Sequence, residues 1–160
     1  MDGLIVRRFN QEDADELAFM IADTLRLING KDYSEEFIEK TIEELTPNEL
    51  IARSEWMHLY VVLLDEKIVG CGGIGAYWGS ETESSLFNIF VSAYHQGQGI
   101  GRKIIETLEK DEYFLRAKRI EIPASITALK FYQKMGYTFK NNIDKIDEEQ
   151  LYRLEKYKEV

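Results

Sequence analysis

The chain has 160 residues, 44% of them hydrophobic, and a formal net charge of −9. This length and composition favour a single domain over residues 1–160 with a sizeable core, and the acidic balance argues against nucleic acid as a partner. No apolar run approaches the roughly 20 residues of a membrane-spanning helix, and the N-terminus lacks a signal-peptide pattern. We therefore expect a cytoplasmic protein with no membrane partner.

Cysteine and histidine are too few for a disulfide framework or a metal site. Cys71 is the single cysteine, which fits a reducing compartment, and its apolar strand pattern predicts a small buried side chain. His58 and His95 have no partners at metal-ligand spacing. We therefore expect no metal.

The first part of the chain predicts one strand and two helices. Residues 4–9 have the pattern of a strand, and Asn10 is a favoured N-cap for a helix that ends at Gly30. Ser34 begins a second helix, which Pro47 is expected to end. The acidic residues of this second helix predict a solvent-facing surface.

Three strands follow, at residues 57–64, 68–77 and 84–91. The short connection between the first two indicates an antiparallel hairpin. The several glycines of the middle strand weaken it and suggest a bulge or a close backbone approach there.

The last part of the chain predicts two helices and three short strands. One helix begins at Gly101, and Pro123 and Ser125 open the other, which Gly136 ends as a C-cap. The strands are predicted at residues 119–122, 137–139 and 151–157. For the last of these segments a helix also remains open.

The glycine-rich segment at residues 96–101 joins a strand to an amphipathic helix and reads Gln-Gly-Gln-Gly-Ile-Gly. Glycines let a backbone approach a ligand closely, and the free amides at a helix N-terminus suit a phosphate. Residues 97–140 carry 9 basic and 5 acidic residues, a net charge of +4, whereas residues 1–96 carry −11. The segment therefore predicts a pyrophosphate site.

Other interpretations of this segment remain open. It lacks the lysine of a Walker loop, and its third glycine comes one residue too early for the Gly-x-Gly-x-x-Gly dinucleotide fingerprint. Glu121 could still serve as a ribose-binding acid, so a nucleotide-binding α/β domain is an alternative. A glycine-rich turn without a ligand is another.

Two motifs together resemble the GCN5-related N-acetyltransferase (GNAT) superfamily. Residues 96–101 match its pyrophosphate loop, Gln/Arg-x-x-Gly-x-Gly/Ala, and residues 128–137 resemble its second signature, Ala-x-x-Phe-Tyr-x-x-x-Gly-Phe/Tyr. The second motif follows the first by one helix and one strand, as in that superfamily. The resemblance implies an α/β fold with a mixed, mostly antiparallel sheet of about six to seven strands, helices on both faces and a splayed central strand pair.

The resemblance also implies an activity. It predicts an N-acetyltransferase, a monomer or homodimer, that uses acetyl-CoA as cosubstrate and acetylates a primary amine by direct attack. The alternative is a non-catalytic module that binds or senses acyl-CoA. The acidic first part of the chain predicts a small cationic amine as acceptor, with Glu81, Glu83 and the acids of the second helix around its entrance.

The resemblance assigns residues to both substrates. Tyr132 corresponds to the tyrosine that protonates the departing thiolate or hydrogen-bonds its sulfur, and a backbone amide near Phe90 could stabilise the oxyanion. Glu83 is a candidate base that acts through water, because it lies just before the central strand. Ser125 stands where many relatives have asparagine, and Glu81 is a loop charge. The residues expected to bind the cofactor are Ile89, Phe90, Val91, Gln96, Gly97, Gln98, Gly99, Ile100, Gly101, Arg102, Lys103, Ser125 and Ala128.

Overall fold

The computed structural model describes residues 3–158, and this range contains seven strands and six helices. The strands are β1 (Leu4–Arg8), β2 (His58–Leu64), β3 (Lys67–Ala76), β4 (Glu83–Val91), β5 (Arg119–Ala124), β6 (Thr138–Phe139) and β7 (Tyr152–Tyr157). The helices are α1 (Ala14–Leu27), α2 (Glu35–Glu43), α3 (Pro47–Arg53), α4 (Ile100–Leu108), α5 (Glu112–Arg116) and α6 (Leu129–Lys134).

All the described strands form one sheet, in the order β1-β2-β3-β4-β5-β7-β6. Within it β4 and β5 are parallel and every other neighbouring pair is antiparallel. The parallel pair needs a crossover, which α4 and α5 supply. A mixed, mostly antiparallel sheet was predicted, and the structure confirms it. The last segment, β7, is a strand that pairs with β5 from end to end.

Helices cover both faces of the sheet because the strands bury alternate side chains on opposite sides. Val61 and Cys71 pack in a core with α1, α2 and α3, whereas Val62 and Val69 pack in a second core with α4, α5 and α6. Cys71 is buried as predicted, and burial raises the pKa of its thiol to about 12. No helix in residues 3–158 combines the length and apolar character needed to cross a membrane.

The glycines of β3 were expected to mark a bulge or a close backbone approach, and the close approach is confirmed. A Cβ atom at Gly72 would lie 2.5 Å from Ile104 Cγ2 of α4. Helix α4, which follows the glycine loop, can therefore pack directly on the centre of the sheet.

Two helix boundaries differ from the prediction. Pro47 was expected only to end a helix, but it is the first residue of α3. The missing N–H of proline costs no hydrogen bond at that position. Thr46 caps α3, since its Oγ1 accepts a hydrogen bond from the Glu49 amide at 3.2 Å. Pro123 lies inside β5 and not at a helix start, and α6 begins only at Leu129. Pro123 is tolerated because it lies beyond the last paired residue of β5 on the β4 side.

Candidate active site

A cleft opens where the parallel strands β4 and β5 separate. The two strands are paired only through residues 83–85 and 119–121. Beyond those pairs, no ladder joins the described parts of the two strands, and a cavity of about 830 Å³ lies in the gap. Residues 86–91 of β4 form one wall of this cleft, and the end of β5 with α6 forms another. The expected splayed strand pair is therefore present.

Strand β4 has a bulge beside the cleft. Its register with β3 shifts between Cys71 and Gly73, and opposite this shift Asn88 has a φ of 53°. Asparagine adopts this left-handed conformation more readily than most residues with a side chain. The Cys71 thiol donates a hydrogen bond to the Asn88 carbonyl, with an Sγ–O distance of 3.0 Å. Residues 88 and 89 thus leave the ladder where both line the cleft.

The loop between β4 and α4 contains two glycines in the left-handed conformation. Gly97 has a φ of 72° and Gly99 a φ of 83°. A Cβ atom at either position would meet nothing within 4 Å, so the backbone conformation and not crowding favours glycine here. Both residues line the cleft. A ligand can therefore lie directly against the backbone of this loop.

The third glycine of the loop has a packing role. A Cβ atom at Gly101 would lie 3.1 Å from Phe131 Cζ, so a bare backbone lets α4 lie against α6. The first amides of α4, at residues 100–102, have no carbonyl four residues earlier in the helix and carry its positive dipole end. Arg102 adds a charge to this end of the cleft. The geometry suits a phosphate group.

The motif glutamine fastens the loop to β4. Gln96 Nε2 donates hydrogen bonds to the carbonyls of Val91 at 2.8 Å and Ser92 at 3.3 Å. Thr24 of α1 donates to the same Val91 carbonyl at 3.3 Å. These hydrogen bonds fix the end of β4 between the glycine loop and α1. This wall of the cleft is therefore built from α1, β4 and the glycine loop.

Most of the residues expected to bind the cofactor line this one cleft. They are Ile89, Phe90, Val91, Gln96, Gly97, Gly99, Ile100, Gly101, Arg102, Ser125 and Ala128. The structure does not bring Gln98 or Lys103 to it. Lys103 borders a second cavity of about 400 Å³ beside Tyr60, because successive helical residues point about 100° apart.

Ser125 closes the turn that leads into α6. Its Oγ accepts a hydrogen bond from the Ala128 amide at 3.1 Å, and both residues line the cleft. The hydroxyl therefore supplies one acceptor, at a position where the resemblance places an asparagine in many relatives.

Tyr132 presents its hydroxyl to the cleft. The side chain lies in α6 with 5% of its surface exposed. Within residues 3–158, the Tyr137 hydroxyl is the one side-chain polar atom that is fully buried without a partner. The Tyr132 hydroxyl forms no hydrogen bond with the described residues either, so its remaining exposure faces the cleft that it lines. Burial raises the pKa of Tyr132, which keeps the phenol protonated at neutral pH.

Glu83 does not line the cleft. It begins β4 at the paired end of the strands, roughly 16 Å along the strand from the bulge. Its carboxylate accepts a hydrogen bond from Arg119 Nη1 at 2.7 Å. Arg119 is buried and also donates to Glu121 and Glu155. The carboxylate expected to act as base is thus held in a charge cluster at the closed end, and Glu81 is likewise absent from the cleft lining.

An aromatic pair also lines the cleft. The rings of Tyr33 and Phe37 stack with their centroids 4.4 Å apart and an interplanar angle of 11°. The Tyr33 hydroxyl donates to the Gln150 carbonyl and accepts from the Ile126 amide, both at 2.8 Å. The loop after α1 is therefore tied to the turn before α6 and to the loop before β7.

Acidic side chains from two regions also line the cleft. Glu44 follows α2, and Glu148 and Glu149 lie in the loop before β7, whereas the lysine and arginine side chains of the lining are Lys40, Arg102 and Lys134. Sequence reasoning missed the pair at 148 and 149, because residues 140–150 read as an undistinguished polar loop. The signal is tertiary, since the hydrogen bond to Gln150 fastens this loop over the cleft.

Solved structures share the whole architecture. The PaiA N-acetyltransferase of Thermoplasma acidophilum, in complex with coenzyme A, is 18% identical and superposes with a TM-score of 0.81 over 97% of this chain and 99% of its own. A GCN5-related N-acetyltransferase from Rhodopseudomonas palustris is 21% identical, with a TM-score of 0.79 over 98% and 97%. PH1933 from Pyrococcus horikoshii is 19% identical, with a TM-score of 0.73 over 98% and 99%. At these identities the likeness establishes the fold.

Sequence comparison supplies the family. No curated protein sequence matches the chain. The family model for the acetyltransferase (GNAT) domain, however, matches residues 55–139, which is more than half of the chain and includes the glycine loop, the cleft wall of β4 and α6. The chain therefore belongs to the GNAT family of acetyltransferases, which take their acetyl group from acetyl-CoA.

Proposed function

We propose that the protein transfers the acetyl group of acetyl-CoA to the primary amine of a small cationic acceptor by direct attack. One observation carries the proposal. A single cleft is lined by the glycine loop, by Tyr132 and by acidic and aromatic side chains from α2, the loop before it and the loop before β7. It therefore offers contacts for an anionic cofactor, a thioester and an amine within one space.

The cofactor would lie along the splayed strands. The pyrophosphate would accept hydrogen bonds from amides of residues 97–102, with Arg102 as counter-charge. The pantetheine arm would then run beside residues 88–91, where β4 has no neighbour on its β5 side. This course leads the thioester toward the bulge at Asn88 and toward Tyr132.

The chemistry then needs two hydrogen-bond donors. Attack of a neutral amine on the thioester carbonyl develops an oxyanion, which a backbone amide near Phe90 would stabilise. Collapse of the tetrahedral intermediate breaks the carbon–sulfur bond, and Tyr132 would donate its proton to the departing thiolate. We do not assign the base to Glu83, because Arg119 holds that carboxylate away from the cleft. Water would remove the proton of the acceptor.

The acidic surface supports a cationic acceptor. Glu149 is paired with Arg153 at 2.8 Å, whereas Glu44 and Glu148 have no salt-bridge partner among the described residues. The stacked face of Tyr33 and Phe37 adds a surface that can attract a cation. These residues take the place of Glu81 and Glu83, which were expected at the acceptor entrance.

Neutralising these acidic side chains should weaken the binding of the acceptor and leave the binding of acetyl-CoA unchanged. For Glu44→Gln and Glu148→Gln we expect KM for a cationic amine to rise about twofold to fivefold at low salt, because each change removes the attraction between an exposed carboxylate and the ammonium. The KM for acetyl-CoA should not change. The increase should shrink as salt is added, since screening weakens the same attraction in the wild type.

The matched control is Glu36→Gln, which neutralises an acidic side chain of α2, the helix that Glu44 follows, outside the cleft lining. It should leave both KM values unchanged. If the best acceptor in a panel of polyamines, aminoglycosides, amino acids and peptide N-termini is neutral or anionic, the cationic-acceptor proposal is wrong.

The proposal as a whole is tested by turnover. Acetyl-CoA and the amine panel should give time-dependent release of free thiol and an acceptor heavier by one acetyl group in the mass spectrum. A module that only senses acyl-CoA would bind the cofactor in calorimetry and release no thiol with any amine. That result would replace the catalytic proposal with the binding one.

A further inference from the structure

Helix α3, which was not predicted from the sequence, ends in an arginine that contacts the bulge of β4. Arg53, its last residue, donates a hydrogen bond from Nη1 to Asn88 Oδ1 at 3.1 Å. The Arg53 carbonyl accepts hydrogen bonds from the amides of Trp56 at 3.1 Å and Met57 at 3.0 Å. Its Nε is paired with Glu49 at 3.1 Å. Arg53 is therefore held through its backbone carbonyl and its Nε while Nη1 contacts Asn88.

Asn88 is the residue that needs such support. Its φ of 53° is disfavoured for a residue with a side chain, and such a conformation persists only where the surroundings determine it. Arg53 holds its side chain, and the Cys71 thiol holds its carbonyl. The two contacts reach Asn88 from different elements, α3 and β3, and together they fix the bulge.

Arg53 itself does not line the cleft, whereas Asn88 and its neighbours do. Any effect of the guanidinium on the reaction must therefore pass through the backbone that it orients. A bulge re-aims the groups that follow it along the strand. Here those groups belong to residues 89–91, which line the cleft and have no partner in β5, although Phe90 itself pairs with Cys71 of β3.

We infer that Arg53 is a positioning residue for acetyl transfer. It holds Asn88 in the left-handed conformation and thereby aims the amides that follow the bulge at the thioester carbonyl. The inference rests on the proposed acetyl transfer, and it concerns the reaction step more than the binding of either substrate.

The test is a double-mutant cycle. Arg53→Met keeps an unbranched apolar stem but removes the donor, and kcat should fall about tenfold, the scale of a lost hydrogen bond from a charged group. The KM for acetyl-CoA should stay within about twofold. Glycine adopts a positive φ without strain, so in the Asn88→Gly background the same Arg53→Met change should alter kcat less than about twofold. An equal loss in both backgrounds would refute the inference.

A second readout does not depend on turnover. Amide hydrogen exchange at residues 88–91 should become faster in Arg53→Met, and it should not change in Arg26→Met, which removes an exposed arginine–carboxylate pair elsewhere. Unchanged exchange in β4 would overturn the inference whatever the rate. If the wild type has no acetyltransferase turnover, the proposed function fails and the exchange comparison alone decides the role of Arg53. Arg53→Gln replaces Arg53→Met throughout if the latter does not fold.

Discussion

Replacement of Gly99 by aspartate is expected to reduce the affinity for acetyl-CoA at least about 100-fold, equivalent to about 2.7 kcal/mol. Gly99 precedes the first amides of α4 and lines the cleft, so the new carboxylate would occupy the place proposed for the pyrophosphate and repel it. A Cβ atom there meets no neighbour within 4 Å, so a clash would not explain the loss. Calorimetric titration of the folded variant with acetyl-CoA measures the effect.

Two controls separate charge from backbone strain. Gly79 has a φ of 75°, equally open surroundings and no place in the cleft lining, so Gly79→Asp adds the same strain and charge elsewhere. It should bind acetyl-CoA like the wild type. Gly99→Asn adds a side chain of similar size without the charge and should lose much less affinity. Wild-type affinity in Gly99→Asp would contradict the phosphate site.

The parts of the fold that the sequence predicted are those with local signals. The strand, glycine loop and helix over residues 87–108 follow from apolar alternation, Gly97 and Gly99, and helical spacing, and none of these needs a distant partner. The second motif, at residues 128–137, placed α6 and Tyr132 for the same reason. The family resemblance added the sheet order, which local signals do not contain.

Helix α3 was not predicted because a proline can follow the end of one helix or begin the next. Thr46-Pro47 is a stop signal for the preceding helix, but Thr46 as N-cap and Pro47 as first residue are equally a start signal. The short helix that follows has few apolar residues, so its periodicity is weak. Its contribution to the cleft, Arg53 on Asn88, joins positions 35 residues apart.

The surroundings of Glu83 and the bulge beside the cleft show a similar limit. Glu83 looked close to the central strand in sequence, but its environment is set by Arg119, which is 36 residues away. The glycines of β3 indicated a bulge or a close approach in that strand, and β3 does have an extra residue, Val69, against β2; the bulge beside the cleft, however, lies in β4, where an asparagine takes the positive φ. A contact between residues far apart in the sequence determines each of these features, so no local sequence pattern predicts them.

Replacement of Tyr132 by phenylalanine is expected to lower kcat by about 10²- to 10⁴-fold, the usual contribution of a general acid. The ring would remain in place between α6 and the sheet, so the dissociation constant for acetyl-CoA should change less than about threefold. Single-turnover rates with saturating acetyl-CoA, together with calorimetry, separate the two effects. A wild-type kcat would leave Tyr132 with a packing role alone.

Tyr137→Phe is the matched control, since it removes the hydroxyl of a buried tyrosine in the neighbouring core. The Tyr137 hydroxyl is buried without a partner among the described residues, so its loss should leave kcat unchanged and should maintain or raise the melting temperature. The pH profile gives an independent check. Because burial raises the pKa of Tyr132 above that of a free tyrosine, the acid stays protonated at alkaline pH. The value of kcat/KM should therefore only rise with pH, as the acceptor ammonium, whose pKa is about 10.4, loses its proton. A fall in kcat/KM between pH 8 and about 9.5 would show that the acid ionises too early to be this buried tyrosine.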